Sequence, residues 1–175
     1  MLLINCSNRE KNCFNILNDI KSNNDKLISL SNKDMKFCLG CNSCKENLPK
    51  HCVLDDYITN NVYEQIIDEK DIVIASPIYI SNINGILKNL IDRFNPFYYH
   101  ELLKGKKIYL ILTGQASKED NIEEINGIIK YFEGISEWLY FDFIFLDYFE
   151  GFDNISDYNY DKKIEEIINR LKKGE

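Results

Sequence analysis

The feature that most constrains this chain is an alternation in which short apolar, β-branched runs recur between stretches whose apolar residues repeat with helical spacing. The runs are Leu2 to Ile4, Leu27 to Leu30, Ile72 to Ala75, Ile108 to Leu112 and Leu139 to Leu146, and they read as five strands. Ile83, Ile86, Leu87 and Leu90 fall on one face of a helix, as do Ile122, Ile125, Ile129 and Phe132, and again Ile164, Ile167, Ile168 and Leu171. This alternation implies βαβ units with right-handed crossovers, and hence a parallel sheet covered by helices on both faces. With 175 residues, 45% of them hydrophobic, the chain can bury one sizeable core, and a single domain over 1–175 is expected.

Charge and cysteine content narrow the function. The chain carries 28 acids against 21 bases, and its net charge of −7 opposes the phosphate backbone of nucleic acid, so no nucleic-acid partner is expected. The longest apolar runs fall far short of the roughly 20 residues that a membrane helix needs, so no membrane association is expected either. Met1-Leu2-Leu3-Ile4-Asn5 has neither a basic leader nor an extended apolar stretch, which leads to the expectation of a cytoplasmic protein. Six cysteines in a reducing compartment are not a disulfide framework, and four of them crowd into positions 38 to 52, which points to metal or redox chemistry.

Five strands in this pattern fit a three-layer, doubly wound α/β fold of the flavodoxin-like kind, with a five-stranded parallel sheet in the order 2-1-3-4-5. Ligands of such sheets bind outside the carboxyl ends of the strands, at the switch between the first and third. The loops to inspect therefore begin at Asn5, Ser31, Ser76 and Thr113. In the first, Ser7, Arg9, Asn12, Cys13 and Phe14 combine a hydroxyl, a guanidinium and the backbone donors of a helix start, which makes a phosphate cradle. It lacks the glycines of a Walker A loop or a dinucleotide fingerprint. The third loop offers Pro77, Ile78, Tyr79, Ile80, Ser81 and Asn82, a mixture of apolar contact, an aromatic ring and amide donors suited to the face and rim of a flat heteroaromatic ring. The fourth adds Thr113, Gly114 and Gln115, with Gly114 read as permitting close approach.

Cys38, Cys41 and Cys44, followed by Cys52, are the most specific feature. Thiolates at two-residue intervals, with Gly40 allowing a tight turn, resemble the ligation of a [4Fe–4S] cluster. Structural zinc is the rival, though it more often uses two separated pairs, and a set of free thiols is the third reading. His51, beside Cys52, reads as an exposed loop residue, and His100 as a surface or interface residue.

Taken together, these stretches resemble the NADPH-dependent FMN reductase family, and within it the iron–sulfur flavoprotein branch. Asn5-Cys6-Ser7-Asn8-Arg9 resembles the family's phosphate loop, with Cys6 standing where the family carries glycine. Ser76-Pro77-Ile78-Tyr79 and Leu87-Lys88-Asn89-Leu90-Ile91-Asp92-Arg93 resemble its ring-binding loop and following helix, and Leu103-Lys104-Gly105-Lys106-Lys107 the approach to its fourth strand. The cysteine loop followed by Asp55-Asp56 completes the likeness, and those carboxylates also suit the start of a helix carrying Ile58, Val62 and Ile66.

The resemblance implies noncovalently bound FMN at the strand ends and NAD(P)H as cosubstrate. It also implies a homodimer or homotetramer serving a redox partner or a small-molecule acceptor. Ser7 and Arg9 would contact phosphate, with backbone donors from Asn12, Cys13 and Phe14, while Pro77, Ile78, Tyr79 and Ile80 would border the ring. The leading expectation is an electron-transfer oxidoreductase, with no catalytic acid or base, linking FMN to a [4Fe–4S] cluster. The alternatives are a cluster-free NAD(P)H-dependent FMN, quinone or nitro reductase, and a noncatalytic flavin- or metal-binding module.

Overall fold

A computed structural model describes residues 1–46, 52–151 and 159–175. Strand β1 (Leu2–Asn5) leads through a loop to helix α1 (Asn12–Ile20) and strand β2 (Lys26–Ser29). A 3₁₀ turn at Ser43–Lys45 and a π-helical turn at Ile58–Val62 precede α2 (Tyr63–Asp68) and β3 (Asp71–Tyr79). Then follow β4 (Asn82–Ile83), α3 (Gly85–Asp92), α4 (Asn95–Tyr99), β5 (Lys107–Gly114), α5 (Ile122–Leu139), β6 (Asp142–Glu150) and α6 (Tyr160–Lys173).

The sheet runs β2-β1-β3-β5-β6, and every neighbour along that path is parallel. The expected doubly wound parallel arrangement is therefore present, but the expected count of five strands is corrected to six among the described residues. The extra strand, β4, pairs antiparallel with the end of β3 through Ile78–Ile83 and Tyr79–Asn82. It exists because β3 does not stop at Ala75. β1 has already ended opposite Ala75, so the missing N–H of Pro77 costs no ladder bond to that neighbour, and β3 continues beside β5 through Pro77 opposite Thr113. Ile80 and Ser81, with φ of 48° and 60°, then reverse the chain in a two-residue hairpin.

Two other boundaries move. Ile83 belongs to β4, not to the following helix. The run from Leu139 to Leu146 divides, because Leu139 is the last residue of α5 and Tyr140, at φ 62°, ends that helix in the left-handed conformation before β6 begins at Asp142.

Alternation along the strands builds two cores. Leu2, Ile4, Ile72, Ile74, Leu110 and Leu112 face α2, α3, α4 and α5, whereas Leu3, Val73, Ala75, Tyr109 and Ile111 face α1 and α6. Among the described residues no helix is long and apolar enough to cross a membrane.

Buried Asn84 joins the two sides of the switch point. Its amide nitrogen donates to the Cys6 carbonyl in the β1–α1 loop, and its Oδ1 accepts from the Leu87 N–H at 2.9 Å, which caps α3. Asn84→Ala removes the cap and leaves a buried carbonyl unpaired, so it should destabilise the fold by about 2 kcal/mol. Urea unfolding of variant and parent checks this, and coincident transitions would remove Asn84 from its structural role.

Candidate functional site

The carboxyl ends of β1, β3, β5 and β6 surround a cavity of about 370 Å³, within the rough 300–1,000 Å³ range of small-molecule sites. Ser7, Arg9, Lys11, Asn12 and Cys13 line it from the β1–α1 loop and the first turn of α1. Pro77, Ile78, Tyr79 and Ile80 come from the end of β3 and its hairpin, Thr113, Gly114 and Gln115 from the end of β5, and Gly151 from the residue after β6. Residues separated by more than a hundred positions meet there because parallel strands deliver all their carboxyl ends to one edge.

Short polar contacts fix the walls. The Ser7 hydroxyl accepts the Arg9 N–H at 3.2 Å and turns the loop. Lys11, the residue that opens α1, makes no capping bond with its side chain, so the first N–H groups of the helix are not taken up in that way. Asn12 donates to the Gly151 carbonyl at 3.0 Å, and the Gly151 N–H donates to the Gly114 carbonyl at 2.9 Å, which ties α1 to the ends of β5 and β6. The Cys13 thiol lies 3.3 Å from Thr113 Oγ1, and burial pushes its pKa up to about 12, so it joins α1 to β5 as a neutral group.

The hairpin rim is unusual. Ile80 is 99% exposed and Tyr79 40% exposed, so two large apolar side chains stand in water at the cavity mouth. A β-branched residue at positive φ is strained, and Ile80 buries almost nothing within the chain to offset that. Gly114 lines the cavity and also has a packing role within the chain. A Cβ there would meet the Tyr148 ring, with Cε2 at 3.0 Å and Cζ at 3.1 Å, so its glycine serves the packing of Tyr148.

Three residues expected in this site are not on its wall. Phe14 lies one position further into α1, partly buried. Ser81 and Asn82 line a neighbouring cavity of about 610 Å³ with Lys88, Glu123, Glu124 and Tyr131, and the Ser81 hydroxyl donates to Glu124 at 3.2 Å. Two wall residues were not expected, Lys11 and Gly151. Gly151 follows the fifth strand of the parallel path, so the rule that singles out strand ends would have found it had the loop after that strand been included.

Cys38, Cys41, Cys44 and Cys52 all line one small cavity of about 20 Å³. Left-handed conformations at Gly40 and Asn42, with φ of 62° and 58°, wrap the loop around it, and the His100 ring lies 3.3 Å from the Cys44 carbonyl. Cys44 is raised by burial and by the charges of Cys52, Cys41 and Cys38, whereas a hydrogen bond from Ser43 lowers exposed Cys41. Among the described residues no three Cys, His, Asp or Glu side chains are set to hold a single metal ion, and His51 lies outside the described residues.

Beneath this loop sits a buried ion pair. Arg93 Nη1 donates to Asp56 Oδ2 at 2.7 Å and Nη2 to Oδ1 at 3.2 Å. The same guanidinium also donates to the Lys36 carbonyl and the Thr59 hydroxyl, each at 2.8 Å. Asp56 accepts the Lys36 and Thr59 N–H groups at 2.8 and 3.0 Å, so it opens the following helix as expected and also anchors the stretch leading into the cysteine loop. Burial alone would lift its pKa, but the bonds from Arg93, Thr59 and Lys36 hold the carboxyl below the usual carboxylate range.

Comparison with known proteins agrees with this geometry. The sequence model described as NADPH-dependent FMN reductase matches residues 1–124. An iron-sulfur flavoprotein of Methanocaldococcus jannaschii is 29% identical over 105 residues, 58% of this chain and 53% of its own. One from Archaeoglobus fulgidus is 36% identical over 99 residues, 53% of this chain and 47% of its own, so the chain spans about half the length of these curated relatives. The FMN-dependent NADH-azoreductase of Bacillus anthracis, solved in complex with FMN, superposes with a TM-score of 0.58 at 14% identity, covering 99% of this chain and 96% of that one. At that identity the likeness shows the flavodoxin-like fold alone.

The thiols divide by environment. Cys41, exposed and with a lowered pKa, holds more thiolate at neutral pH, whereas buried Cys6 and Cys13, both raised, hold almost none. Iodoacetamide at pH 7.5 should alkylate Cys41 first and leave Cys6 and Cys13 unmodified until the protein unfolds. Peptide mapping by mass spectrometry reads the order, and early labelling of Cys13 would contradict the buried thiol–hydroxyl contact.

Proposed function

From the premise that the chain belongs to the NADPH-dependent FMN reductase family, we propose that it is an FMN-dependent electron-transfer oxidoreductase whose cysteine loop holds a [4Fe–4S] cluster. The observation that carries this reading is the gathering of loop cations, the start of helix α1 and an apolar-aromatic wall around one cavity of about 370 Å³.

The residues present fit FMN. Arg9, Lys11, the Ser7 hydroxyl and the first N–H groups of α1 offer a positive, donor-rich end for the phosphate. Pro77, Ile78 and Tyr79 offer the apolar contact that a ring system needs, and the Gly114 and Gln115 backbone lies opposite. FMN, when bound, supplies the exchange between hydride donors such as NAD(P)H and single-electron acceptors. The chain's own task is to hold, orient and partly desolvate it. Buried Cys13, with its raised pKa, stays protonated and exchanges no proton, so no side chain of the wall has to act as acid or base.

Support for the cluster comes from the donor set. The thiols of Cys38, Cys41, Cys44 and Cys52 surround one cavity that buried Arg93 also lines. A [4Fe–4S] cluster takes one thiolate at each corner, so its ligands surround a space, whereas the ligands of one zinc ion must meet at a point. The names of the curated relatives, iron-sulfur flavoproteins, support the same reading. A second reading, a cluster-free NAD(P)H-dependent FMN, quinone or nitro reductase, is supported by the matching family model, which is described as NADPH-dependent FMN reductase.

We further propose a cytoplasmic homodimer or homotetramer serving a redox partner or small acceptor. All six cysteines are unpaired, which suits a reducing compartment, and the stacked, exposed Tyr98–Trp138 pair, with centroids 5.5 Å apart, suits a subunit contact. Anaerobic reconstitution with FMN, ferrous iron and sulfide, followed by quantification of flavin and iron, tests the whole reading. Bound flavin with no iron would leave the cluster-free reductase, and no bound flavin would overturn both.

Arg9→Ala should weaken FMN binding by about 1.5–3 kcal/mol, through loss of a charge-assisted contact, with the fold intact. Fluorescence titration measures it, and unchanged affinity in a folded variant would remove Arg9 from the phosphate site. Cys41→Ser should cut cluster iron sharply, because an alcohol is a far poorer iron ligand than a thiolate, while FMN stays bound and is still bleached by NAD(P)H. Full iron content in that variant would take Cys41 out of the ligand set.

A further inference from the structure

Arg93 has more donors than its neighbours use. Both terminal nitrogens are engaged, by Asp56, the Lys36 carbonyl and Thr59, yet Nε, on a residue only 1% exposed, has no hydrogen-bond partner. A buried charged group left partly unpaired is costly, and most are satisfied. The unused donor belongs to a residue that forms part of the wall of the cysteine cavity, which Leu39, Val53, Leu54 and Pro96 line with apolar groups and Asn42, Asp92 and Asn95 with polar ones. Arg93 also feels the charge of Cys52, as does Tyr63, whose ring lies 5.9 Å from the guanidinium carbon.

Asp56 balances the charge of Arg93, so what is left unmet beside the four thiols is an acceptor for its Nε–H. The surrounding hydrogen bonds fix the guanidinium in place between α3 and the entry to the cysteine loop. We propose that Arg93 is the positioning residue of the thiolate centre, with its Nε–H donating to a sulfur of the bound cluster or of a ligating cysteine. The inference rests on the cluster reading above. A donor and a cation held against the centre favour its more negative, reduced form, so Arg93 raises the reduction potential of the cluster without touching the flavin. The ion pair then has a use beyond anchoring, because it holds that donor rigid at the cavity wall.

The test uses the intact, anaerobically reconstituted protein. Arg9, Arg93 and Arg170 are the only arginines; Arg9 lines the flavin cavity and the Arg170 guanidinium donates to carbonyls of β6, so a signal from labelled arginine nitrogen can be assigned. Pulsed EPR of the reduced cluster in protein carrying isotopically labelled arginine should detect coupling to one arginine nitrogen. Arg93→Lys keeps the cation that pairs with Asp56 but lacks Nε, and it should retain FMN and iron, lose that coupling and shift the cluster potential negative. The coupling is read in the unaltered protein, so it decides the matter even where the variant fails to fold. Iron bound with no arginine coupling, or an unchanged potential in folded Arg93→Lys, would overturn the role of Arg93 and leave the cluster standing. No iron in the parent protein would overturn the cluster reading and the inference with it.

Discussion

Strand β1 is hydrogen-bonded on both sides in parallel, to β2 from Leu2–Lys26 to Asn5–Ser29 and to β3 from Leu2–Ile72 to Asn5–Ala75. Parallel pairing on both flanks means that the chain must cross a face of the sheet to reach each neighbour, so β1 is covered above and below. It also means that the carboxyl ends of β1, β2 and β3 emerge at one edge, where β5 and β6 join them. The cavity at that edge follows from this one constraint, since no other arrangement brings Ser7, Tyr79, Gly114 and Gly151 together.

Much of this was legible in the amino-acid sequence, because period and strand order are local signals that add along the chain. The five apolar runs mark the five parallel strands, and the strand-end rule leads to the loops carrying Ser7, Arg9, Pro77, Tyr79 and Gly114. Features without a local signal were not legible. Ile80-Ser81 has none of the Asn-Gly chemistry that announces a hairpin, so β4 stayed hidden. The apolar stretch from Trp138 to Leu146, interrupted only by Asp142, does not show where α5 yields to β6, since the stop is a left-handed Tyr140. The Asp56–Arg93 pair joins residues 37 positions apart, a tertiary choice that neither side's sequence reveals.

The six cysteines show how far one side chain can be separated in role by environment. Cys6 and Cys13 are core thiols that belong to the walls of the sheet, buried and raised in pKa. The other four sit on a loop tied down at its entry by Asp56, Lys36 and Arg93 and at Cys44 by His100. Position in the fold, and not residue type, therefore separates structural sulfur from sulfur available for chemistry. Strain is distributed in the same way, because Ile80 carries it at the open rim and the packed strands do not.

The central claim is that the loop between β1 and α1 recognises a phosphate while the end of β3 holds a flat ring. Comparing FMN with riboflavin isolates the first half, because the two share the ring and differ in the phosphate. Titrating each with the protein and following flavin fluorescence measures both affinities under one condition. The account predicts one FMN per chain and much weaker riboflavin binding. Equal affinity for the two, or no quenching of either, would contradict it.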